Sequence, residues 1–374
     1  MKTAREYLEA LIRIPSPSAV SNRSLIEYAK QELAALGWST RELPYRDASG
    51  IEKVNLIAAP PEQNVQQTEV DLAFVCHTDT VPYASHWAEA TAPAERNGNL
   101  HGCGACDVKG YLACLLAAAA KVKTHATELR IVLTAEEEIG CIGAAHLMAS
   151  GAIRPRRAVI GEPTSLHPAR AGKGYCLGEV VVLGAEAHSA HPQQGASAIY
   201  GAATLIKQIE ALSQQLTDTR NEFFDPPYTT LNVGTIAGGS AKNIIPGRCV
   251  FLVEWRPIPG TAADDVARAL EEIVTHFNQV EEKLRATFTV QRRQPGFETP
   301  AASHLVQRVE ALSGKQAVAI PFGTEASHLA AVAKEIVVFG AGDMRSAHSE
   351  REFVPLRELE QAVTILTTLM QENA

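Results

Sequence analysis

Two histidines and a set of carboxylates, each placed just past a short apolar run, carry the chemistry of this sequence. Phe74-Val75-Cys76-His77-Thr78-Asp79-Thr80 ends one such run on His77. A neutral imidazole binds divalent metals well, and an aspartate two residues on can hold the ring in the required tautomer without touching the metal. Glu136, Glu137 and Glu138 follow Ile131-Val132-Leu133-Thr134-Ala135, and Glu162 follows Ala158-Val159-Ile160-Gly161. His348 lies in the loop after Ile336-Val337-Val338-Phe339-Gly340, and Asp107 closes the loop Gly102-Cys103-Gly104-Ala105-Cys106 at the head of an Ala-rich stretch. Each residue has a plainer reading by itself. Three adjacent glutamates can be a solvated turn, Asp107 an N-cap, Glu162 before Pro163 the start of a turn, and either histidine a polar residue meeting solvent. Taken together, two imidazoles and at least three carboxylates at strand ends supply donors for two divalent ions. Asp107 could bridge them at the roughly 3.5–4 Å separation of a two-metal hydrolytic site. Zinc is the first expectation for such a donor set.

The elements must bring these residues to one rim. Ala4–Arg13 and Asn22–Leu36 have helical spacing, while 54–58, 71–76, 129–134 and 157–161 are short apolar runs that read as strands. Helices are expected at 108–123 and 143–150. Strands alternating with helices predict an α/β fold, a mixed and mainly parallel sheet flanked by helices, whose ligands sit at the strands' carboxyl ends. The pattern then changes. Strands at 177–184, 230–236, 249–256 and 286–292, with helices at 196–212 and 262–284, spell βαββαβ, a ferredoxin-like layer. After it, a helix at 303–313, a strand at 335–340 and a helix at 356–371 return to the first style. The expected organisation is a discontinuous catalytic domain, 1–173 with 297–374, and an inserted domain, 174–296.

The 374 residues exceed a single core of usual size. With 46% hydrophobic and 20% charged residues the composition is that of an ordinary soluble globule. A net charge of −8 argues against a nucleic-acid partner. The amino-terminal segment carries charges throughout and has no apolar signal core, and the most apolar run, Tyr111–Ala120, is too short to span a bilayer. Seven scattered cysteines suggest reduced thiols and a cytoplasmic protein.

Five motifs resemble one family across nearly the whole chain: CHTDTVP at 76–82, GACDVKG at 104–110, TAEEEIG at 134–140, GEPT at 161–164 and AHSEREFV at 347–354. The family is that of the co-catalytic zinc amidohydrolases, which includes acetylornithine deacetylase, succinyl-diaminopimelate desuccinylase, acetylcitrulline deacetylase and the glutamate-type carboxypeptidases. The resemblance implies that His77 and Glu162 hold one metal, Glu138 and His348 the other, and that Asp107 bridges. It makes Glu137 the general base and Asp79 the partner of His77, and implies a cis peptide at Asp107–Val108. Two zinc ions are implied, with cobalt or manganese as substitutes.

In the insertion, Gly184-Ala185-Glu186-Ala187-His188-Ser189 resembles the family's lid histidine, reaching a partner subunit's site in a homodimer. Asn243, in Asn243-Ile244-Ile245-Pro246, and Arg256, in Arg256-Pro257-Ile258-Pro259-Gly260, resemble its substrate-carboxylate contacts. Gly323-Thr324-Glu325-Ala326 is similar to the segment of acetylornithine deacetylases, which would set Glu325 against the substrate's side chain. The implied reaction is hydrolysis of an N-acyl-amino acid, N-acetylornithine first, in arginine biosynthesis. Acetylcitrulline, succinyl-diaminopimelate and small dipeptides follow.

The sequence departs from the family at Cys103, Glu136 and Ala341, none of them an expected ligand. Two other classes stay open: a catalytically silent metabolite-binding homologue, and a redox or zinc pair at Cys103-x-x-Cys106.

Overall fold

A computed structural model of the chain describes residues 1–122, 124–125, 127–260 and 263–372. The helix ends expected at Lys123 and Ala262 lie outside the described residues. The chain divides into two compact units, Met1–Arg170 with Glu298–Val318 and Thr324–Ala374, and Ala171–Phe297 with Ala319–Gly323.

The first unit opens with α1 (Ala4–Ile12) and α2 (Arg23–Ala35). Thr3 and Glu6 form a reciprocal capping box that satisfies two of the free amides at the start of α1. Then come β1 (Ser39–Arg46), β2 (Glu52–Ala59), β3 (Glu69–His77), α3 (Lys109–Lys121), β4 (Leu129–Thr134), α4 (Ile142–Ser150) and β5 (Arg154–Gly161). The same unit resumes after the second with α7 (His304–Ser313), α8 (Ala326–Leu329), β10 (Glu335–Phe339) and α9 (Leu356–Gln371). Its sheet includes the run β1-β2-β4-β3-β5-β10, and short strands at Ala169–Gly172 and Phe297–Glu298 continue it past β10. β4, β3, β5 and β10 are parallel, and β1 and β2 are antiparallel additions.

The parallel strands are apolar on both faces because both are covered. Leu72, Phe74, Ile131, Leu133, Val159 and Val337 join one core with Leu112, Leu116 and Leu366 of α3 and α9. Their neighbours Ala73, Val75, Val132, Ile160 and Val338 point the other way and are equally buried. α3 is buried along nearly its whole length, and its alanines let it lie close to the sheet. At Gly161 the approach is closest, since an added Cβ would stand 2.1 Å from the Tyr111 ring.

The second unit holds β6 (Tyr175–Leu183), α5 (Ala198–Gln215), β7 (Thr230–Gly238), β8 (Arg248–Arg256), α6 (Ala263–Val280) and β9 (Arg285–Gln294). This is the βαββαβ order that the sequence predicts. The antiparallel sheet runs β7-β8-β6-β9. Val180, Val182, Phe251, Val253 and Trp255 point into a core closed by Leu205, Ile209, Leu270 and Phe277 of the two helices. β7 pairs on one side only, and its residues are largely exposed. Among the described residues no helix is long and apolar enough to cross a membrane.

Candidate metal centre

Register fixes where the expected ligands emerge. His77 pairs with Thr134 across β3 and β4, and Phe339 with Gly161 across β10 and β5. The four parallel strands therefore end together, and the loops that carry His77, Glu137–Glu138, Glu162 and His348 leave one rim, the usual site face of an open α/β sheet. Asp107 joins them from the loop before α3, with its following peptide cis to Val108. His348 has a φ of 56°, in the left-handed region that a β-unbranched side chain adopts only when its surroundings fix it.

Two triads result, His77–Asp107–Glu162 and Asp107–Glu138–His348, each with donor atoms within 4.8 Å of one another and with Asp107 common to both. Asp107 Oδ1 lies 3.1 Å from His77 Nε2, and its Oδ2 lies 3.0 Å from His348 Nε2. His348 Nε2 is also 3.0 Å from Glu138 Oε2. All five expected ligands are thus brought together.

The charges are unbalanced. Burial, then the charge of Asp107, pushes Glu162 well above the carboxylate range, and the same two causes raise Glu138. Burial pushes Glu137 to about 8. Asp107 is held low, because hydrogen bonds to His348 and His77 outweigh its burial. His348 is pushed up to about 10 by hydrogen bonds to Asp107 and Glu138. Protons on the histidines here do what cations would do better, which is to neutralise a cluster of buried carboxylates. Glu138 Oε1 is buried with no hydrogen-bond partner among the described residues, so it is an acceptor left over for an ion. The donor set fits two divalent cations sharing Asp107.

Glu137 and Asp79 stand beside these ligands. Glu137 Oε1 accepts from the Cys141 thiol at 3.2 Å, and Glu137 is in neither triad. The expected contact of the Asp79 carboxylate with His77 is altered: the ring Nδ1 lies 3.0 Å from the Asp79 backbone carbonyl and 3.6 Å from its carboxylate. With Nδ1–H donated to that carbonyl, Nε2 is the atom that faces Asp107 and that would bind an ion once its own proton is lost. The carboxylate itself accepts from the backbone N–H groups of Glu137 (3.0 Å) and Glu138 (3.3 Å) and from Ser18 Oγ (2.6 Å). It clamps the acidic loop. From behind, buried Glu136, with φ 58°, accepts from Tyr45 Oη at 2.8 Å and faces Lys53 Nζ at 3.9 Å. Glu136 is therefore part of a buried network and not a solvated turn.

The remaining expected residues are outside the two triads. Glu325 is fully buried, accepts a hydrogen bond from Thr134 Oγ1, and burial pushes it to about 7. A substrate group would reach it only through a rearrangement. His188, Asn243 and Arg256 belong to the second unit. His188 is exposed and pairs with Ile244, and its Nδ1 accepts from the Ala190 N–H at 3.1 Å. Asn243 is exposed, and its carbonyl accepts from Ser189 N–H at 3.0 Å. Arg256 donates to Glu254 at 2.8 Å and its guanidinium stacks 4.5 Å above the Tyr175 ring. All seven cysteines are buried, and none of them forms a disulfide. Burial pushes Cys103 to about 11 and Cys106 well above its ordinary value, so neither is poised as a thiolate for redox chemistry.

Residues 73–372 match the model of peptidase family M20/M25/M40. An acetylornithine deacetylase of Myxococcus xanthus is 42% identical over 97% of this chain and 95% of its own length. One from Proteus mirabilis is 32% identical over 99% and 97%. Among solved structures, a tripeptidase from Staphylococcus aureus superposes with a TM-score of 0.77 at 22% identity, covering 98% of this chain and 97% of its own. A metallo-carboxypeptidase from Sulfolobus solfataricus does so at 0.74 and 16%, covering 99% of each. At these identities the two structures speak for the fold.

Proposed function

Because this chain belongs to peptidase family M20/M25/M40 and is a metal-dependent amidohydrolase, we propose that it deacetylates N-acetylornithine, releasing acetate and a free α-amine for arginine biosynthesis. The observation that carries the hydrolytic reading is the pair of triads sharing Asp107, with Glu137 beside them. The substrate assignment is supported by relatives of that name that align over nearly the full length.

His77 and Glu162 would hold one ion, Glu138 and His348 the other, and Asp107 both. Two imidazole nitrogens among carboxylates favour zinc, with cobalt or manganese as workable substitutes. Bound there, the ions supply Lewis acidity to the amide carbonyl and lower the pKa of a water. Glu137 takes the proton of the attacking water and returns it to the departing amine. A base raised by burial suits both tasks, because it neither holds the proton too weakly nor releases it too slowly. Asp79, through the two backbone amides it binds, keeps Glu137 and Glu138 in fixed relation. His188, with Nδ1 accepting from Ala190, carries its proton on Nε2 and presents a donor for the oxyanion of the tetrahedral intermediate. Arg256 and Asn243 bind the substrate's α-carboxylate, for which a planar guanidinium fork is the better match. Glu325 serves the substrate's distal amine once uncovered.

The second unit, residues 174–296 in the reading from sequence, acts as the lid and joins two chains into a homodimer. Supporting this are four of its large apolar side chains that face solvent: Tyr200 (78% exposed), Val280 (60%), Ile236 (55%) and Leu183 (48%). Such a set on one small unit suits an interface. The reading is tested by amine release across N-acetylornithine, N-acetylcitrulline, N-succinyl-diaminopimelate and small dipeptides with zinc, cobalt or manganese added. It predicts the highest kcat/KM for N-acetylornithine. A dipeptide as best substrate would refute the deacetylase assignment while leaving the amidohydrolase intact.

A further inference from the structure

One buried carboxylate beside the centre has no part in the chemistry above. Glu352 is 2% exposed. Its Oε2 accepts from the backbone N–H of Gly104 at 3.0 Å, and its Oε1 accepts from those of Cys106 at 3.0 Å and Asp107 at 3.1 Å. The Gly102 N–H in turn donates to the Glu352 carbonyl at 3.4 Å. Four amides of the loop that presents Asp107 thus bond one residue. That residue sits four positions after His348, on the loop that supplies the histidine of the second triad. The two loops also interlock next to it. Gly342, at φ 89°, is packed so that an added Cβ would meet Cys106 Cβ at 2.4 Å, and Cys106 Sγ lies 3.6 Å from Ser346 Oγ.

A carboxylate is costly to bury, and charge-assisted bonds to three amides are what make it tolerable. An apolar side chain could fill the same space, but it could not hold three N–H groups at fixed directions. What those directions fix is the position of Asp107, since the third amide is its own. The His348 side chain is half exposed and its Nε2 stands 3.0 Å from Asp107 Oδ2, on the loop that Glu352 ties to the Asp107 loop.

We infer that Glu352 is a positioning residue for the shared-carboxylate centre: it ties the Asp107 loop to the His348 loop, so that Asp107 reaches both triads at once. The inference rests on the two-ion reading of the centre. Glu352→Gln keeps shape and volume but replaces one acceptor by a donor facing a backbone N–H, so one of the three bonds becomes a repulsion.

The test titrates zinc and cobalt(II) into metal-free parent and variant, with circular dichroism and thermal unfolding of the metal-free forms alongside. The expected result for Glu352→Gln is a folded protein with an unfolding midpoint within a few degrees of the parent. One ion is retained and the second is weakened about 10- to 100-fold. The cobalt(II) absorption and spin coupling of the pair change, and kcat falls by a similar factor with KM little altered. Two ions bound at parental affinity with an unchanged cobalt(II) spectrum would overturn the inference. If Glu352→Gln does not fold, Glu352→Asp, which keeps the charge but is too short for both ends of the cradle, is measured in the same way. Failure of both to fold would overturn it too, leaving Glu352 a folding residue. A parent that itself binds fewer than two ions would instead refute the two-ion reading.

Discussion

Glu137 and Glu138 are adjacent in sequence, yet we propose different tasks for them, and that difference can be measured. Glu138 Oε2 faces His348 Nε2 at 3.0 Å and belongs to a triad, while Glu137 belongs to neither. Glu137→Gln is expected to lower kcat by at least about 1,000-fold, the upper range for a positioned proton-transfer group, with metal content within error of the parent. Glu138→Gln should lose activity and an ion together. Elemental analysis on both purified variants decides it, and equal metal loss in the two would reverse the roles. Most of this residue-level reading is legible in the sequence, because the ligands follow recognisable apolar runs. Two features are not. The Asp79 carboxylate binds the amides of Glu137 and Glu138, and Glu352 binds those of the Asp107 loop. Backbone amides carry no residue type, so neither contact leaves a signature in the sequence. Nor does the sequence show that the Glu325 side chain is buried and accepts a hydrogen bond from Thr134, a contact that would have to open before it could meet a substrate.

At the scale of elements, long apolar strands and strongly periodic helices can be placed within a few residues from the sequence alone. β4 is expected and found at 129–134, and α9 at 356–371. β1 is not foreseen. Ser-Thr-Arg-Glu-Leu-Pro-Tyr-Arg has no apolar run, its side chains are half or wholly exposed, and Pro44 is compatible with a strand only because β1 is at the edge. The small hairpin of Ala94–Arg96 and Asn99–His101 escapes for the same reason, being too short to show a period. The packing of elements, unlike their existence, rests on single contacts. Gly161→Ala drives a methyl group into the Tyr111 ring just before Glu162, and should cost about 1–3 kcal/mol, as overpacking of a close contact does. Urea unfolding of the metal-free protein measures this, and an unchanged midpoint would mean that α3 is not as firmly seated as its burial implies.

For the whole molecule, the proposed function divides the work between the two units. The first carries both triads, Glu137 and Asp79, while His188, Asn243 and Arg256 are on the second. If His188 acts in the partner chain's site, then inactive His188→Ala and inactive Glu137→Gln chains should complement when dissociated and reassociated together. A mixed dimer would hold one site with both residues intact, so about half of the parental rate per site-competent dimer should return. No recovery in mixed dimers shown to form would place His188 in its own chain's site or outside catalysis.

The proposed deacetylation needs two cations and Glu137 together. The most direct measurement follows amine release from N-acetylornithine by metal-free protein as zinc is added in steps, for the parent and for Glu137→Gln. The expected result is no turnover without metal, full turnover by about two equivalents per chain, and at most about a thousandth of that rate at any occupancy for Glu137→Gln although it takes up the same zinc. Turnover that survives complete metal removal, or that stays near the parental rate in Glu137→Gln, would contradict it.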